Sequence, residues 1–160
     1  MIVRGVIVGL FGVLVFDLWN ILAQRAFAIR APNWAILGKW LLAPFGGDRT
    51  PITPATVFSP AQRYLGAVVH YATGGAFGLA LVLAMGPAWS AQPTVLPAVA
   101  AGVLTTLLAW FIIMPALGHG VAAAKLPVRH KVRASTLVAH TVMGLGFYLG
   151  AVVVQGGLGR

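Results

Sequence analysis

The sequence predicts an all-α polytopic membrane protein, with four transmembrane helices in one bundle and a short interfacial helix in the first loop. Three observations carry that prediction. Hydrophobic residues make up 59% of the 160 residues, charged residues only 8%, and the mean hydropathy is +0.92. A soluble domain needs roughly 25% charged residues to cover its surface. Two acidic residues against eleven basic ones leave lipid as the solvent for most of the exterior. Four apolar runs also reach the roughly 20 residues that a helix needs to cross a bilayer. They fall at 5–27, 62–85, 95–117 and 133–154.

The first run resembles a secretory leader in having Arg4, an apolar stretch and the small-x-small triplet Ala26–Phe27–Ala28. Asp17, Asn20, Gln24 and Arg25 interrupt that pattern, so it reads as a retained span. In the loop at 28–61, Trp34, Leu37, Leu41 and Leu42 recur at helical spacing beside Lys39 and Trp40. That composition suits a short helix in the membrane interface. Pro51, Pro54 and Pro60 with Gly46–Gly47 then make the rest of the loop irregular. Ser59-Pro60-Ala61-Gln62 combines an N-cap serine, a first-turn proline and a capping-box glutamine, so the second span begins there.

The turn at 86–94 is short and uncharged, which makes spans two and three an antiparallel hairpin. Span three loses its helical register near Pro115, and Gly118-His119-Gly120 is a turn. Nine of the eleven basic residues lie in or beside the first and third loops. The positive-inside rule places those loops in the cytoplasm and both termini outside. Basic residues at membrane edges argue for anionic lipid and against nucleic acid as the partner. The absence of cysteine excludes thiol chemistry and thiolate metal sites.

Arg63, His70, Gly74, Phe77 and Leu79 recur as Arg133, His140, Gly144, Phe147 and Leu149, seventy residues on. Duplication of a hairpin and chance similarity between two Gly/Ala/Val-rich helices both account for this. Asp17 is the only acid within a span, and an intramembrane acid faces protein or water because of its insertion cost. Asn20 and Gln24 follow on the same helical face. Gly5, Gly9 and Gly12 form a stripe that lets another helix approach. His70 and His140 lie at similar depth, with Arg63 and Arg133 two turns below each. The expected site is therefore one cavity holding Asp17, Asn20, Gln24 and both histidines, with the two arginines at its cytoplasmic mouth. The competing reading is that these groups only bond helices together and to lipid phosphate.

Phe16-Asp17-Leu18-Trp19, Gly38-Lys39-Trp40, His70-Tyr71 with Gly74, Pro115-Ala116-Leu117-Gly118 with Gly120, and His140 with Gly144 and Tyr148 carry a resemblance. Nearly the whole chain resembles a small bacterial inner-membrane family catalogued as domain of unknown function 2938. The resemblance implies a four-span helical membrane protein and no particular activity. It also implies an acid shortly before the second span, where this chain has Gln62.

Three functions fit the residues. The first is a small transporter or proton/cation-linked permease, working as a homodimer, with Asp17 and the histidines as relay. The second is a non-catalytic scaffold or regulator. The third is a haem b redox protein ligated by His70 and His140.

Overall fold

A computed structural model describes residues 1–29, 31–53 and 55–158. Arg30 and Arg160, counted above for orientation, and Pro54 of the first loop lie outside the described residues. Five helices carry the fold, and no strand occurs among the described residues. They are α1 (Ile2–Phe27), α2 (Trp34–Leu42), α3 (Pro60–Ala91), α4 (Val95–Ala116) and α5 (Arg129–Leu158). All except α2 are long and apolar enough to cross a membrane.

Local chemistry sets most of the boundaries. Ala28, in the left-handed region at φ 52°, closes α1 by donating its N–H to the Ala23 carbonyl. Asn33 opens α2 by accepting the Ala35 N–H at 3.1 Å. Ser59 accepts the Gln62 N–H at 3.2 Å while the Gln62 amide oxygen accepts the Ser59 N–H at 2.9 Å. That reciprocal pair starts α3 where the sequence predicts. Gln62, which stands where the resemblance implies an acid, thus caps a helix, and it is buried.

Two ends depart from expectation. The chain does not simply turn after residue 85. The helix breaks at Gly86 (φ 74°) and resumes as one more turn to Ala91. Pro87 suits the first turn of that resumed piece, where a missing N–H costs nothing. The extra turn drives Trp89 into the core beside Val8, Val82, Ala151 and Val154. In α4 the predicted loss of register near Pro115 is a π-helical turn at Ala109–Ile113. A proline ring displaces the carbonyl four residues before it, and widening that turn relieves the conflict.

The helices pack in the order α2, α3, α1, α5, α4. The first helix therefore separates the two that carry the repeat. The expected hairpin of spans two and three is barely packed against itself. The residues that follow Gly86 instead meet α1 and α5, through Trp89 beside Val8 and Ala151 and through the Ala91 carbonyl, which accepts from Gln155. The fourth helix consequently docks on the far side of α5.

Glycines set the spacing. A Cβ on Gly9 would strike the backbone of Gly74 and Gly75, and one on Gly12 would strike the Phe147 ring. The predicted glycine stripe of α1 thus admits two helices. On the other side, a Cβ on Gly102 would fall 2.5 Å from the His140 carbonyl oxygen and 2.6 Å from Gly144 Cα. Such small-residue crossings let backbones meet closely.

Candidate functional site

The Asp17 side chain emerges from α1 toward α3 and is 27% exposed. One carboxylate oxygen lies 3.0 Å from His70 Nε2, and the other accepts the Tyr71 hydroxyl at 2.9 Å. Consecutive residues on α3 thus grip the two oxygens of one carboxylate. The contact to the carboxylate makes His70 Nε2 the protonated ring nitrogen. The His70 side chain is only 10% exposed because Trp34 of α2 lies flat on it, with centroids 3.7 Å apart and planes 15° from parallel.

What brings Trp34 there is the α2–α3 contact. A Cβ on Gly38 would strike the Gln62 carbonyl, and one on Gly66 would strike the Trp34 carbonyl. These two glycines press α2 onto the first turns of α3. The tryptophan therefore belongs to the site, not only to the interface. The sequence signal available was the pair Gly38 and Gly66, which only the packing shows to be partners. Tyr71 was legible only as the neighbour of His70.

His140 stands apart from this cluster. Its Nδ1 is 2.7 Å from Thr105 Oγ1, which itself lies 2.6 Å from the Gly102 carbonyl oxygen. A hydroxyl has one proton, and the carbonyl can only accept it, so Nδ1 donates to Thr105. Phe16 packs against both imidazoles, with centroids 5.9 Å from His70 and 5.4 Å from His140. The single cavity expected between the two histidines is therefore filled by a phenyl ring.

The remaining predicted residues lie elsewhere. Asn20 donates to the Phe16 carbonyl of its own helix at 2.9 Å, and Gln24 is exposed. The arginines do not gather at a mouth. Arg63 Nε holds the Phe58 carbonyl at 3.2 Å, and Arg133 Nε holds the Ala122 carbonyl at 2.7 Å. Each ties down the loop that precedes its helix, a parallel between the two repeats.

Haem does not fit this arrangement. His70 Nε2 is committed to Asp17, its ring face is covered by Trp34, and Phe16 occupies the space between the imidazoles. Among the described residues no three His, Asp or Glu side chains group as metal ligands. What the cluster holds is a carboxylate, an imidazole and a phenol in one hydrogen-bonded chain. Such a chain takes up, holds or passes a proton, and its carboxylate retains lone pairs for a further donor or cation.

The second acid of the chain is paired too. Lys39 of α2 is buried, with 4% of its surface exposed, and its ammonium donates to Asp48 and, at 3.0 Å, to Thr50 Oγ1. Asp48 also accepts the Thr50 N–H at 2.8 Å. The Lys39 hydrogen bond, aided by those from Thr50, lowers the Asp48 carboxyl from 3.8 to about 2.

No curated protein and no solved structure matches the chain. The model of the family described as "Protein of unknown function (DUF2938)" matches residues 6–154. That match covers almost the entire sequence, and the chain belongs to this family.

Proposed function

We propose that the protein is a small proton- or cation-linked permease of the bacterial inner membrane, in which Asp17 and His70 exchange the coupling proton. The observation that carries this reading is a half-open carboxylate, bonded to an imidazole and a phenol, on helices long enough to cross a bilayer. Ionisable groups at such positions are costly and mark ion or proton pathways by default. In this reading both termini are outside and the basic loops are cytoplasmic, following the positive-inside rule. The glycine contacts close the space between α1 and its neighbours, so a pathway runs along the exposed side of Asp17 and a second copy of the chain completes it.

The test is proton flux into liposomes containing the purified full chain, followed with an internal pH dye. Flux is expected in the wild type and lost in Asp17→Asn and His70→Ala; equal flux in all three sinks the proposal. A scaffold role is favoured instead by one observation: Asp17, His70 and Tyr71 satisfy one another, as packing groups do. Under that reading the same variants lower stability and the wild type carries no flux.

A further inference from the structure

We propose that the cleft beside the C-terminal end of α2 binds an anionic phospholipid, with the headgroup phosphate on Arg49 and an acyl chain along Trp40 and Phe45. The inference rests on the membrane placement given above, but not on proton exchange at Asp17. The cleft has a volume of about 430 Å³, and Trp40, Leu41, Ala43, Pro44 and Phe45 line it with Arg49 as the one charged residue. Phe45 is 86% exposed. An apolar, aromatic surface with a single guanidinium matches a ligand that is itself mostly apolar with one anionic group.

The loop that presents Arg49 is built, not loose. A 3-10 turn at Ala43–Phe45 continues α2, and Gly46 at φ 85° reverses the chain. The Gly47 N–H then returns to the Leu42 carbonyl at 3.0 Å. Lys39 clasps Asp48 and Thr50, the two neighbours of Arg49 in sequence. Arg49 Nε donates to the Ala43 carbonyl at 2.9 Å, which orients the guanidinium and leaves its two terminal nitrogens for a ligand.

Charge accounting selects an anion. The chain has two acids. Asp17 is engaged by His70 and Tyr71, and Asp48 by Lys39 and Thr50. Among the described residues neither acid is paired with Arg49, so its charge is open to an anion from outside the chain. In the membrane placement proposed above, the cleft stands at headgroup level. Its helix packs on the first turns of α3, through Gly38 against Gln62 and Gly66. Tryptophan and arginine both settle at that depth, and the cytoplasmic leaflet supplies anionic lipid.

The test uses the full chain, reconstituted in vesicles of equal phosphatidylcholine and phosphatidylglycerol, extracted into detergent and weighed by native mass spectrometry. Wild type is expected to retain phosphatidylglycerol over phosphatidylcholine. Arg49→Gln, a surface change, is expected to lower that retention about fivefold, the weight of one basic residue near an anionic surface. Quenching of tryptophan emission by bromine-tailed phosphatidylglycerol is expected to fall in both Arg49→Gln and Trp40→Phe. Equal retention of the two lipids, or unchanged retention in Arg49→Gln, overturns the site. Release of the bound species by inorganic phosphate alone overturns the lipid as occupant. None of these outcomes depends on whether Asp17→Asn alters proton flux.

Discussion

His70 and His140 occupy matching positions in the repeat, yet their surroundings differ in kind. The first meets a carboxylate, a phenol and an indole, on the side of the bundle where α1 and α2 flank α3. The second meets one threonine of α4, whose hydroxyl is already spent on its own helix. The glycine four residues on makes a close helix crossing in both cases, against Val13 of α1 for Gly74 and against Ala98 and Val99 of α4 for Gly144. The repeat therefore conserves how a helix packs, and the partner helix decides what the histidine can do. A carboxylate partner creates a group that can gain or lose charge; a hydroxyl partner only fixes a ring.

The largest effects should come from what the two halves share. Gly9→Val and Gly102→Val each push a side chain into backbone, where no rotamer relieves the clash. Each should cost about 3 kcal/mol or more, at or beyond the upper end for overpacking. Thermal unfolding in detergent with size-exclusion chromatography would show it, and a neutral Gly9→Val would break the equivalence of the crossings.

Next come changes that separate the halves. Asp17→Ala leaves the His70 N–H and the Tyr71 hydroxyl without their acceptor, and Thr105→Val leaves only the His140 N–H. Partial exposure discounts the first, so about 2 kcal/mol against about 1 kcal/mol is expected. Unfolding midpoints of the two variants, measured side by side, decide this; a larger loss for Thr105→Val would reverse the assigned importance of the two histidines. Trp34→Leu removes a stack found only on His70 and should cost about 0.5–1.5 kcal/mol, with Trp34→Phe retaining part of it. An unshifted melting curve for the leucine variant would mean that α2 adds nothing to the cluster.

The smallest effect lies outside both histidine clusters. Asp48 has a folded-state pKa lowered to about 2, chiefly by its hydrogen bond from Lys39. A depressed carboxyl stabilises the fold above its ordinary value of 3.8, and that contribution is lost as pH falls through about 2. Unfolding midpoints between pH 5 and pH 2 should therefore decline more steeply in the wild type than in Asp48→Asn. Parallel curves would show that the clasp carries no linkage.

Much of this architecture was legible without coordinates. Four apolar runs placed the long helices and a serine–glutamine capping box placed the start of α3, because caps and hydropathy act locally. The Gly86 break and the π turn before Pro115 were only half legible. Both arise where a local breaker meets a helix that the surrounding packing continues.

The site was legible in its members and not in its grouping. Asp17 and His70 were singled out because an acid or imidazole in an apolar run needs a partner. Which partner each takes depends on helix order, and the order is set by glycines that find each other only in the folded chain. The sequence alone determined that the chain is helical, that its long helices are apolar enough for a bilayer, and that few polar groups lie inside them. Tertiary structure decided that α1 stands between the repeats, that Phe16 divides the histidines, and that Trp34 and Tyr71 complete the Asp17 cluster. The physical reason is range: hydrogen-bonded caps and hydropathy act over a few residues, whereas a contact between residues 17 and 70 exists only once helices have packed.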